Sequence, residues 1–259
     1  MKGIDSSYNE VELFVVHLKH NRNLSSGHIR TYLAGIASKF KFENRTDPTK
    51  GFGIRALIKN YSAANHSKIK RNPIDRFLLD DICTNIIYIT ESHYDHVLLS
   101  VTYQFMFWFA LRISEVSDNK HNLKFKNVFW NEKTESMHVT LQSYKFSKGN
   151  IANLSVPCKR GSRFYKDYIK YVTLRGNKKG PFFLKNGKAV KGKLISTVLK
   201  ATLKHLHLDP GQYNTHSLRI GRGTDMFNRN INILKIKKFG RWTSDAYMNY
   251  IKPLGVSCS

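Results

Sequence analysis

NTHSLRIGRGTDMFNRNINILKIKKFGRWTSDAYMNYI, residues 214 to 251, concentrates more chemistry than any other stretch of this chain. His216 and Arg219 stand three apart, on one face of a helix expected from Ser217 to Phe227. Asn232 offers a cap for a second helix through Ile233, Ile236 and Lys237, and Gly240 offers its end. Arg241, Trp242 and Tyr250 follow, the last on a short helix expected over Asp245 to Ile251. Each group has a use at a phosphodiester. A guanidinium presents a planar fork of donors to phosphate oxygens. An imidazole hydrogen-bonds a phosphate oxygen or moves a proton near neutral pH. A phenol hydroxyl can attack phosphorus. Singly these signals are weak, because His-x-x-Arg is a common spacing.

Working upstream, Leu194 to Leu206 and Gly161 to Thr173 read as amphipathic helices, the aromatics of the second serving as core. Between them, Pro181 to Leu184 reads as a short strand in a Gly/Lys-rich loop. From Lys126 to Pro157 the apolar period becomes two, with Met137, Val139 and Leu141 alternating with polar residues. Ser147-Lys148-Gly149-Asn150 supplies a turn, so a hairpin or small antiparallel sheet is predicted. Leu78 to Ile89 and His96 to Ser117 are predicted helices. The second closes on Ala110-Leu111-Arg112-Ile113-Ser114-Glu115-Val116. A charge after so apolar a run needs a partner. Arg112 and Glu115 either form a plain ion pair one turn apart, or Glu115 steadies an arginine aimed into a site.

Three apolar stripes occupy the first 65 residues: Tyr8 to Leu18, Ile29 to Phe40 behind a Ser25/Ser26 cap, and Ile54 to Tyr61. They predict a small helical bundle. Ala63 to Asn72 is polar and basic without apolar period and reads as a linker, so a second domain is expected over residues 73–259. Lys and Arg number 43 against 18 Asp and Glu, a net charge of +25 spread along the chain. Such a field points to a polyanion partner, nucleic acid above all, although a ribosome-like or merely lysine-rich protein would share it. The three cysteines are scattered and form no C-x-x-C, which argues against a disulfide scaffold or a cysteine zinc site and fits a reducing compartment. No signal peptide is visible. The most apolar run, Val97 to Leu111, falls short of the about 20 residues a membrane span needs.

Taken jointly, A-L-R-I-S-E-V, H-S-L-R and a terminal tyrosine ten residues after Gly240 resemble the tyrosine recombinases, the phage-integrase family. H-S-L-R-I-G-R-G-T and G-R-W-T-S-D-A-Y-M-N-Y-I are similar to strings of DIRS-like and Crypton-like eukaryotic mobile elements, with Arg222 standing where a small residue is usual. The resemblance implies a mainly α fold with a small antiparallel β-sheet (α+β), arranged as a C-shaped clamp. A helical core-binding domain over 1–65 would precede the catalytic domain. It implies site-specific cleavage and rejoining of double-stranded DNA through a 3′-phosphotyrosine, without metal or other cofactor, by a tetramer on two DNA sites. Arg112 and Arg219 would balance phosphate charge, Lys145 or Lys148 on the hairpin would protonate the leaving oxygen, and His216 and Trp242 would assist. Tyr250 would be the nucleophile rather than Tyr247, and Glu115 and Arg241 would support. No membrane is implied; the compartment would be the nucleus in a eukaryote and otherwise the cytoplasm or nucleoid. The rivals are a silent, domesticated DNA-binding protein and a type IB topoisomerase-like enzyme.

Overall fold

The computed structural model describes residues 6–63, 71–145, 147–243 and Met248. The chain divides into two compact units, residues 1–69 and 70–259.

The first unit holds α1 (Ser6–His20), α2 (Ser26–Phe42) and α3 (Phe52–Ala63), with a 3₁₀ turn at Pro48–Lys50. Ser25 caps α2 by accepting the His28 N–H, and Asp47 caps the 3₁₀ turn through the Thr49 N–H. These short polar side chains satisfy donors that a helix start leaves unpaired. Val11, Val15, Leu18, Ile29, Leu33, Ile54 and Ile58 form the core, which is the apolar periodicity of the sequence folded onto itself. Arg30, Lys39, Lys41, Arg55 and Lys59 remain exposed.

The second unit begins with α4 (Arg76–Asn85) and the long α5 (His93–Trp108). Twelve of α5's residues are buried, so it runs through the middle of the core. The helix expected to continue from His96 to Ser117 stops at Trp108 instead. Phe109 caps it, Ala110 takes a left-handed φ of 47°, and the single-turn α6 (Ile113–Val116) starts afresh. The break carries Arg112 out of the apolar run and returns Glu115 towards it.

Strands β1 (Val128–Asn131), β2 (Ser136–Leu141) and β3 (Ala152–Pro157) follow, paired antiparallel in the order β1-β2-β3. Val128, Val139 and Leu154 line up across the sheet on the core side, while Phe129, His138 and Ser155 face outward. Between β2 and β3, Lys148 and Gly149 have φ of 46° and 88°, and Asn150 N–H donates to the Ser147 carbonyl at 2.8 Å. Positive φ at both central residues makes this a type I′ turn.

Helix α7 (Arg163–Arg175), the two-residue strands β4 (Leu184–Lys185) and β5 (Lys188–Ala189), and α8 (Gly192–His205) close the core round α5. The predicted strand at Pro181 is displaced to β4; Pro181 itself makes an isolated bridge to Lys124.

Helices α9 (Thr215–Asn228) and α10 (Ile233–Gly240) complete the described chain. The segment that leads into the second unit lies along α9. Asn72 N–H donates to the Gln212 carbonyl (2.9 Å), Ile74 N–H to the Ser217 carbonyl (3.1 Å), and the Arg76 guanidinium pairs with Asp225 (2.6 Å). At Gly221 the two backbones approach so closely that a Cβ would stand 1.7 Å from the Ile74 carbonyl oxygen.

Candidate active site

The break after α5 and the ends of α9 and α10 meet in one place. Glu115 lies at its centre, 0% exposed. Its carboxylate accepts the Arg112 backbone N–H (2.9 Å), Arg112 Nη1 (3.2 Å) and Arg241 Nη2 (2.9 Å). A carboxylate so fully desolvated requires such charged donors. The plain ion pair and the steadied arginine are therefore one arrangement: Arg112 is paired, yet 21% of its side chain stays exposed.

Arg219 is 1% exposed on the second turn of α9. Its Nη1 donates to the Ala110 carbonyl (3.1 Å) and its Nη2 to the Gly240 carbonyl. Arg112 Nη2 donates to the next carbonyl, that of Arg241 (3.3 Å). The C-terminal carbonyls of α10, the negative end of that helix, thus hold both arginines.

Trp242 lies over the Arg219 guanidinium, 4.7 Å from carbon to ring centroid. Its ring occupies the space beside Gly240, where a Cβ would fall 1.7 Å from it, and touches the Gly223 position at 3.4 Å. Gly240 is the last residue of α10, as expected, and Arg241 after it is left-handed, with φ 54° and ψ 42°. Glycine is needed at position 240 for the close approach of the indole.

His216 stands in the first turn of α9, where Asn214 caps the helix by accepting the His216 N–H at 2.9 Å. Burial, and after it the neighbouring Arg219 and Arg112 charges, together lower its imidazole pKa to about 4. It is neutral at physiological pH.

The loop after β2 reaches the same place through Tyr144, whose ring lies 5.8 Å from the Arg241 guanidinium. Lys145 follows it and is exposed; Lys148 is exposed on the left-handed turn further out. Arg222, where a small residue is usual in the strings this stretch resembles, turns inward. It is buried one turn beyond Arg219, paired with Asp225 at 2.7 Å and stacked over Trp108. Tyr250 and its competitor Tyr247, with the helix expected over Asp245 to Ile251, lie outside the described residues.

The site therefore gathers Arg112, Glu115, Arg219, Arg241 and Trp242, with His216 close enough to feel both arginines. Sequence reasoning missed the backbone acceptors of Phe109 and Ala110 and the packing of Tyr144; an alanine at positive φ leaves no compositional trace.

Solved structures share this arrangement of chain. XerH site-specific recombinase, bound to a palindromic difH substrate in a post-cleavage complex, matches 96% of this chain and 69% of its own, with a TM-score of 0.67 and 15% identity. The Tn1549 transposon integrase in complex with circular intermediate DNA matches 95% of this chain and 80% of its own, at 0.63 and 13%. A lambda integrase dimer bound to a COC′ core site matches 100% and 75%, at 0.55 and 13%. The fold is that of the tyrosine recombinases. No protein-family model matches the sequence, and no curated protein is similar to it. At 13–15% identity the likeness is one of fold, so what the tyrosine-recombinase fold does here must be argued from the residues it carries. Among the described residues, no helix is long and apolar enough to cross a membrane.

Proposed function

We propose that this chain is a site-specific DNA recombinase that cuts and rejoins double-stranded DNA through a covalent tyrosine intermediate. One observation carries it: Arg112 and Arg219, 107 residues apart in sequence, are held by consecutive carbonyls, those of Arg241 and Gly240. Two guanidiniums against one buried carboxylate, beside a third from Arg241, leave an excess of positive charge where an anion would sit. Guanidinium charge on the non-bridging oxygens stabilises a pentavalent phosphorane-like transition state.

In the proposed reaction the Tyr250 oxygen bonds to phosphorus and the bond from phosphorus to the 5′ oxygen breaks. The phenol gives up its proton, and Lys145, on the loop anchored by Tyr144, supplies one to the leaving 5′ oxygen. The products are a 3′-phosphotyrosine and a 5′-hydroxyl, and the reverse reaction with another strand's 5′-hydroxyl rejoins DNA. His216, neutral before binding, hydrogen-bonds a phosphate oxygen or takes the phenol proton; the bound phosphate offsets the two guanidiniums that hold its pKa down. For Arg219 to reach the phosphate, Trp242 or the Gly240 carbonyl has to give way, so binding and assembly of the site are coupled. Glu115 and Arg241 support the arginines, and Lys148 approaches the DNA from the turn.

The basic faces of the first unit support its reading as a core-binding domain over residues 1–65, ahead of a catalytic domain over 73–259. The H-S-L-R-I-G-R-G-T and G-R-W-T-S-D-A-Y-M-N-Y-I strings support a mobile-element source, hence integration and a tetramer pairing two DNA sites.

The test is a nicked suicide duplex carrying the repeats that flank the gene in its source DNA. The protein is expected to form an SDS-stable adduct, in excess EDTA as well. Tyr250→Phe should abolish the adduct and Tyr247→Phe should not. Adduct formed by Tyr250→Phe protein, or a requirement for Mg²⁺, would refute this assignment.

A further inference from the structure

Arg241 lies between the two arginines that the proposed reaction needs. Its left-handed backbone follows the last residue of α10, a place that glycine fills most cheaply. For other residues that conformation costs about 1–2 kcal/mol. The side chain offsets this cost by contacts inside the protein. Its side chain is 4% exposed. Nη2 donates to the Glu115 carboxylate (2.9 Å) and to the Ala110 carbonyl (3.0 Å). Nη1 donates to the carbonyls of Phe239 (3.2 Å) and Phe109 (3.4 Å).

Two of these acceptors are shared. Glu115 also takes Arg112 Nη1, and the Ala110 carbonyl also takes Arg219 Nη1. Each acceptor orients one arginine, and Arg241 holds both acceptors. We propose, resting on the reaction above, that Arg241 is a positioning residue: it sets the spacing of Arg112 and Arg219 through Glu115 and the Ala110 carbonyl, without touching the phosphate.

Removing it has a defined consequence. Glu115 is fully buried, and without Arg241 its charge falls to Arg112 alone. That guanidinium is drawn towards Glu115 and away from the phosphate. Arg219 loses the partner that fixes the far side of its carbonyl acceptor. A lysine at position 241 offers one compact ammonium where Nη2 meets Glu115 and the Ala110 carbonyl, but it has no second nitrogen for the Phe109 and Phe239 carbonyls that hold the planar fork in place.

The experiment is single-turnover cleavage of the suicide duplex over a range of protein concentrations, with melting temperatures measured alongside. It compares wild type, Arg241→Lys and Arg241→Met. Arg241→Met should lower the saturated rate constant by about 100-fold or more while changing the half-saturating concentration by less than about threefold. Arg241→Lys should fall between it and wild type. A second duplex carries a neutral methylphosphonate at the cleaved position, which removes the charge that the arginines balance. On it the gap between wild type and Arg241→Met should shrink to within about tenfold. An equal gap on both duplexes, or a loss that appears as weaker binding and a lower melting temperature, would show a merely structural arginine and overturn the proposal. Wild-type rates from Arg241→Met would do the same. Absence of adduct from the wild-type protein is a different result: it refutes the reaction itself, before any variant at position 241 is compared.

Discussion

His216 has a depressed pKa for two separable reasons, burial and the facing guanidiniums of Arg219 and Arg112. An unfolded histidine binds its proton near pH 6.5, whereas this one stays neutral down to about pH 4. Between those values the unfolded chain holds the extra proton, so stability is fully present above pH 6.5 and is lost as pH falls towards 4. The slope is at most about 1.4 kcal/mol per pH unit. Urea unfolding at several pH values should show this loss, and His216→Gln should flatten it. An unchanged slope in the variant would mean that other groups dominate acid stability. At the same scale, Gly240 shows how one missing Cβ admits Trp242, which lies over Arg219.

Among the elements, α9 carries the most. Its N-terminus presents His216 and Arg219, and its flank is joined to residues 72–76 by the Ile74–Ser217 backbone hydrogen bond and the Arg76–Asp225 ion pair. Asp225 also receives Arg222 and Arg229, so one carboxylate ties α4 to α9 and to the residue that caps its end. Gly221 is the point of closest approach, and a methyl group there must push the Ile74 backbone away. Gly221→Ala normally favours a helix, by about 1 kcal/mol. Here overpacking against backbone, at about 1–3 kcal/mol or more, should win. A drop in melting temperature of several degrees is expected, together with slower cleavage, because the displaced helix bears His216 and Arg219. A more stable Gly221→Ala protein would show that residues 72–76 do not constrain α9.

At the scale of the whole molecule, the +25 charge is the dominant property. If it serves DNA, affinity should fall linearly on a log–log plot against salt, with a slope of about 0.9 per phosphate neutralised. Six to ten contacts would weaken binding by about 10³ to 10⁵ between about 50 and 200 mM salt. Fluorescence anisotropy with a labelled duplex measures this directly, and a shallow dependence would mean that most of the charge faces away from the DNA. No net cation excess by itself makes an active site. What distinguishes the candidate site is that three guanidiniums converge on one buried carboxylate and one carbonyl.

The sequence by itself determined the elements and their caps. Ser25 and Asn232 cap where short polar side chains precede apolar stripes, and the period-two run became β2 and β3. These are local effects, set by side-chain spacing over a turn or a pleat. Tertiary structure alone decided the break at Ala110, the inward turn of Arg241 and the burial of Arg222 against Trp108. Each depends on a partner far away in sequence: Glu115 meets Arg241 across 126 residues, and the Ala110 carbonyl meets Arg219 across 109. No local pattern encodes such pairings, because they form only when packing around α5 brings the ends of three helices to one point.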